Sequence, residues 1–137
     1  MTGARGSGWL SIMQGSEPGS VGGAGRRRRA VSDRVLELAT DRLRIVAEPT
    51  RVRIMKCLES LGGATVQQVC DALGGESHQN VSKHLRTLYA AGLVDRRRSG
   101  NSVRYELADW AALWIVDKMV ASVDAQLEDA GERLTEV

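Results

Sequence analysis

The chain has 137 residues, 42% hydrophobic and 26% charged, a balance that suits one domain of ordinary globular composition and leaves no room for a two-domain enzyme. Aromatics make up 4% and Phe is absent, so the core must come from Leu, Val, Ile, Ala and Met, which favours packed helices. The net charge of +2 is unevenly spread: residues 1–30 carry +4, 31–76 −1, 77–105 +5 and 106–137 −6. A like-sign block in a folded segment sets up a field that a polyanion can use.

Residues 1–30 are Gly- and Arg-rich, without an apolar period, and predict a disordered tail that ends in the basic run Arg26 to Arg29. The tail lacks the apolar centre of a secretory signal, and no stretch approaches the roughly 18 apolar residues of a membrane span. A cytoplasmic protein with no membrane partner is expected, with Cys57 and Cys70 as reduced thiols.

Residues 31–137 then read as one domain. Ser32 is a candidate N-cap for a helix with two apolar faces, one of Val35, Leu38, Ile45 and Val46, the other of Leu36, Ala39, Leu43 and Ala47. Pro49 interrupts it, and Thr50 is the expected cap of a second helix carrying Ile54, Met55, Leu58 and Leu61, ended by Gly62-Gly63. Thr65 and Gln68 form a capping box for a short third helix with the stripe Val66, Val69, Cys70 and Leu73. Ser77 caps a fourth in which Val81, Leu85 and Leu88 face inward and Gln79, Asn80, Lys83 and Arg86 lie opposite, with Gly92 as its stop.

Residues 93–98 are strand-like and 103–107 alternate as a half-buried strand does, on either side of Ser99-Gly100-Asn101-Ser102, a β-hairpin with a basic, polar tip. From Asp109 the helical period returns. Leu113, Val116, Val120, Val123, Leu127, Ala130 and Leu134 are spaced three and four apart, a heptad-like seam that calls for a partner helix and predicts a homodimer.

Two short helices joined by a Gly-containing turn, the second presenting Gln, Asn, Lys and Arg, make a helix-turn-helix. Such a helix fits the major groove, where Asn and Gln bond adenine and Lys or Arg bond guanine or phosphate. The hairpin is then a wing that lays Arg97, Arg98, Asn101 or Arg104 along phosphates or into the minor groove.

From about Leu43 to Ala108 the chain resembles the winged-helix repressors of the ArsR/SmtB family. The resemblance rests on Glu48-Pro49-Thr50-Arg51-Val52-Arg53-Ile54, on Val81-Ser82-Lys83-His84-Leu85 with Leu88 and Ala91-Gly92-Leu93-Val94, and on Gly100 with Val103-Arg104-Tyr105. It implies a mostly α fold with a small hairpin, dimerising through the first and last helices, that represses an operator and releases it on binding an effector.

The family's metal sites have no counterpart here. Where arsenic-sensing members carry three Cys in the third helix, this chain has Gln68, Cys70 and Leu73, and its two histidines, His78 and His84, both fall in the fourth helix. Each Cys reads as a small buried hydrophobe, and His84, among Val81, Leu85 and Leu88, as a partly buried histidine. The expected partners are double-stranded operator DNA, a second copy of the chain and an unidentified small effector, with no metal and no cofactor.

The expected DNA contacts are Thr50, Ser77, His78, Gln79, Asn80, Ser82, Lys83, Arg86, Arg97, Arg98, Asn101 and Arg104. The expected dimer residues are Val35, Leu36, Leu43, Trp110, Leu113, Trp114, Val116, Val120, Val123 and Leu127. Two alternatives stand beside the repressor: a thiol-, redox- or metalloid-responsive sensor using Cys57 and Cys70, and a winged-helix protein-interaction module. Catalysis is not expected, because no Ser/His/Asp or Cys/His set and no phosphate loop is present.

Overall fold

The computed structural model describes residues 30–131. The tail short of Ala30, with Arg26 to Arg29, and Leu134 of the seam lie outside the described residues. Helix α1 spans Asp33–Val46 and starts where Ser32 accepts from the Val35 N–H. α2 spans Pro49–Leu61, and here the capping expectation fails: Thr50 sits inside the first turn, while Glu48 is the N-cap and its carboxylate accepts from the N–H groups of Thr50 and Arg51. Proline suits the first helical position because its missing N–H would be unsatisfied there anyway, which moves the start two residues back from Thr50.

α3, Val66–Leu73, has the predicted capping box between Thr65 and Gln68. α4, His78–Ala90, is capped by Ser77, which accepts from the Asn80 N–H. Strands β1, Val94–Ser99, and β2, Ser102–Leu107, pair antiparallel around a turn at Gly100 and Asn101. The loop is two residues shorter than the four-residue turn in the sequence, because Ser99 and Ser102 pair with each other. α5, Trp110–Asp129, begins at Asp109, whose side chain accepts from the Ala112 N–H. No helix among the described residues is long and apolar enough to cross a membrane.

The core lies between α2, α3, α4 and the base of the hairpin. Ile54, Met55, Leu58, Val69, Val81, Leu85, Leu88, Leu93 and Val94 are each no more than 1% exposed, and burying a side chain of this size contributes about 1.5–3 kcal/mol. A backbone bridge extends this packing into the sheet: the Ala64 N–H donates to the Tyr105 carbonyl at 2.9 Å and the Tyr105 N–H to the Ala64 carbonyl at 2.8 Å. The chain before α3 thereby fixes the base of the hairpin.

The outer helices differ. α1 buries only Val46 and α5 only Ala112 and Leu113. Arg42 of α1 pairs with Asp109 at the cap of α5 at 2.9 Å, which joins the two outer helices, and Lys56 to Asp117 at 2.5 Å holds α5 to α2. The Asp117 carboxylate, with help from Glu59, outweighs burial and raises the Lys56 ammonium above its ordinary value.

Candidate nucleic-acid interface

The inward face of α4 is fixed by Val81, Leu85 and Leu88 in the core. With that face buried, helical geometry turns Gln79, Lys83 and Arg86, at i, i+4 and i+7, onto one exposed stripe. His78 and Ser77 are exposed at its N-terminal end, and Ser82 is half-buried. Asn80 stands apart from the stripe. It is half-buried, and its Nδ2 donates to Glu76 Oε2 at 2.6 Å, so the bidentate adenine contact expected of it requires that bond to open. Thr50, half-buried with its N–H held by Glu48 Oε1 at 3.1 Å, lies in the first turn of α2.

The hairpin sorts its arginines by register. Val94, Arg96 and Arg98 share a face with Leu107, Tyr105 and Val103, while Arg97 and Arg104 lie opposite each other on the other face. Like charges directly opposed destabilise a strand pair, and both guanidiniums are engaged elsewhere. Arg97 Nε lies 3.5 Å from Glu106 Oε2, and Arg104 Nη2 donates to the Gly63 carbonyl at 2.9 Å. Arg104 is therefore also a half-buried brace against the end of α2. Gly63 is required beneath it: its φ is +113°, and a Cβ would come within 3.0 Å of Glu106 and 3.2 Å of Arg104.

Arg98 and Asn101 are exposed at the tip, and Arg98 makes no ion pair among the described residues. Arg96, absent from the expected contacts, has its guanidinium 4.8 Å from the centre of the Tyr89 ring, a cation–π contact that joins the wing to the last turn of α4. Strand parity carried the signal, since Arg96 shares its face with Val94 and Tyr105.

A second polar cluster escaped the sequence reading. Arg51 Nε donates to His84 Nδ1 at 3.3 Å, and Arg51 Nη1 donates to the Ile45 carbonyl at 3.0 Å. Glu48 completes it, accepting from the Arg51 N–H at 2.8 Å. Burial raises the Glu48 carboxyl, but the two backbone N–H groups and the nearby His84 and Arg51 outweigh it and hold the pKa below its ordinary value. Arg51 was legible as an anomaly, a charged residue three before Ile54 on the inward face of α2.

The expected dimer residues divide. Leu113 is 1% exposed in the chain's own core, so it is not available to a partner, and Trp110 and Val116 are half-buried against the same core. Val35, Leu36 and Leu43 on α1, and Trp114, Val120 and Val123 on α5, are exposed apolar side chains, joined by Leu38, Ile115 and Met119; Leu127 is half-buried. Regular spacing alone makes the seam one stripe. α5 in fact changes neighbours along its length, first the core and then solvent.

Among the described residues no group of three or more His, Cys, Asp or Glu side chains is placed to hold a metal ion. Cys57 is half-buried and Cys70 buried. Burial pushes both thiols up, with Asp71 and Glu76 adding to the effect at Cys70.

A short helix, a turn, a second helix with a polar outer stripe and a two-stranded basic wing define the winged helix-turn-helix class of transcriptional regulators. Residues 46–97 match a family described as "Helix-turn-helix domain". The chain is 39% identical over 87 residues to the HTH-type transcriptional repressor SmtB of Mycobacterium tuberculosis, covering 64% of this chain and 63% of that protein. It is 32% identical over 91 residues to the uncharacterized HTH-type transcriptional regulator Rv0081 of the same organism, covering 65% of this chain and 79% of the relative. Among solved structures it is similar to the homodimeric winged helix-turn-helix DNA-binding domain Mb0332 of Mycobacterium bovis, a possible ArsR-family regulator, at 25% identity and a TM-score of 0.60, covering 74% of this chain and 94% of that one. The chain belongs to the ArsR/SmtB family of winged helix-turn-helix regulators. Its match spans just under two thirds of the SmtB repressor's length. Family and fold are those of transcriptional regulators.

Proposed function

We propose that residues 31–137 form the DNA-binding and dimerising unit of a transcriptional repressor, with residues 1–30 as a separate tail. The observation that carries this reading is the exposed stripe Gln79, Lys83 and Arg86 on α4, beside a wing whose tip presents Arg98 and Asn101. His78 and the stripe enter the major groove of double-stranded DNA, and the wing tip follows the phosphates or the minor groove. Arg97 and Arg104, already engaged by Glu106 and Gly63, act mainly by holding the wing in shape.

The second copy of the chain covers the apolar side chains of α1 and α5. Val35, Leu36, Met119 and Val120 are each more than half exposed, apolar side chains on the two flanking helices of the kind an interface covers. Two copies related by a two-fold axis place two α4 helices on one face of an operator. A sensing role for Cys57 or Cys70 is not favoured, because reactive thiols have lowered pKa values and both of these are raised.

The test is selection of duplexes from a random-sequence pool by the full chain, followed by titration of the selected duplex over a range of salt. A convergent, two-fold symmetric sequence is expected, with log K falling by about 0.9 per phosphate neutralised for each unit of log salt. A pool that does not converge, or a flat salt response, overturns the reading in favour of a protein-interaction module.

A further inference from the structure

The Arg51 cluster lies outside the proposed DNA-contacting surface, yet it meets α4 at its centre. Arg51 has five N–H donors in a fixed fork. It uses one on the carbonyl of Ile45, in the last turn of α1 where carbonyls lack helical partners, and another on His84 Nδ1. Its backbone N–H is held by Glu48. One half-buried side chain thus joins the end of α1, the start of α2 and the middle of α4.

We infer that Arg51 and His84 are positioning residues for sequence reading, fixing the rotation of α4 against the α1–α2 elbow. This rests on the DNA-binding reading above. Val81, Leu85 and Leu88 set how deeply α4 sits, but apolar packing is non-directional. The hydrogen bond to His84 is directional, and His84 adjoins Lys83 and lies between Gln79 and Arg86. On a helix of roughly 5–6 Å outer radius, a rotation of about 10° moves a side-chain tip by about 1 Å. That displacement spoils a bidentate base contact and leaves contacts to the phosphates largely intact. Because Arg51 also holds the end of α1, whose exposed face is the proposed dimer surface, the same side chain sets α4 relative to the two-fold axis.

The test uses the full chain, the duplex it selects from a random pool and a scrambled duplex of equal length. Arg51→Lys keeps the charge, but a single ammonium does not span the two acceptors. His84→Leu removes the acceptor, and His84→Asn restores one near the position of Nδ1. Arg51→Lys and His84→Leu are each expected to weaken the selected duplex about tenfold and the scrambled duplex less than about twofold. The double variant should lose no more than the worse single one, since both remove the same contact, and His84→Asn should recover most of the loss.

Additive losses in the double variant, or equal losses on both duplexes, overturn the inference, the first because it marks two independent DNA contacts and the second because it marks general destabilisation. If Arg51→Lys does not fold, as read by far-UV circular dichroism, the His84→Leu and His84→Asn pair decides. Variants that keep the wild-type preference overturn the inference alone. A wild type that selects no sequence overturns the DNA-binding reading and the inference with it.

Discussion

The centre of the molecule and its flanks are built on different terms. α4 buries Val81, Leu85 and Leu88 completely within 13 residues, whereas α1, at 14 residues, buries only Val46. Both are amphipathic and both are well capped, so local propensity does not separate them. The difference is in who supplies the other half of the packing. The reading half is completed by its own chain, and the flanking half leaves its apolar side chains for something else to cover. Stability and assembly should therefore respond to different substitutions.

The largest expected effect tests that separation directly. Leu58→Ala, at 1% exposure in the centre, should cost about 2–5 kcal/mol in urea unfolding. Leu36→Ala, at 56% exposure on α1, should leave unfolding of the dilute protein nearly unchanged and instead shift the concentration dependence of its sedimentation. Equal losses from the two would erase the distinction.

Val120→Glu attacks the flank alone. A charge placed in a surface that a second copy desolvates should weaken the dimer by about 1–3 kcal/mol, read by sedimentation equilibrium, and operator affinity should fall more than affinity for random DNA because linked half-sites separate. A wild type that is monomeric at micromolar concentration would remove the flanks from any interface.

Glu48→Gln probes the joint between the two halves. The folded carboxyl pKa is lowered, so its contribution is complete above the unfolded value of about 4.3 and is lost as pH falls through the folded value. The variant should be about 1 kcal/mol less stable at neutral pH, and the gap should close towards pH 3; a gap independent of pH would assign the effect to packing. The smallest effect belongs to Asp117→Asn, which breaks the pair between α2 and α5. With Lys56 and Asp117 each more than two fifths exposed, solvent screening limits the loss to below about 1 kcal/mol, detectable as a reduced salt dependence of unfolding.

Much of this plan was legible because it is local. The caps at Ser32, Ser77 and the Thr65–Gln68 box, the glycine stops and the alternation of the hairpin all act within a few residues. Errors arose where a second element decided. Thr50 has the chemistry of a cap, but Pro49 at the first helical position gives the role to Glu48. Arg104 reads as a basic wing residue until Gly63, 41 positions earlier, offers its carbonyl. Leu113 keeps the period of its helix but belongs to the core. Arg51 and His84 are 33 positions apart, and no periodicity pairs them. Among the candidate contacts, exposure of Gln79, Lys83 and Arg86 followed from helical phase alone, while the Asn80 bond to Glu76 depended on how the preceding turn folds.

The two backbone bonds between Ala64 and Tyr105 give the wing the mechanics of a cantilever. Its root is welded to the centre of the molecule, and its far end, at Gly100 and Asn101, is held only by the turn. Thermal displacement then grows with distance from the root, so the tip sweeps an arc while the base stays in register with α4. Amide exchange should record this as a gradient, slowest at Ala64 and Tyr105 and fastest at Gly100. On the DNA-binding function proposed above, such a lever searches for its backbone contact over the width of that arc without disturbing α4.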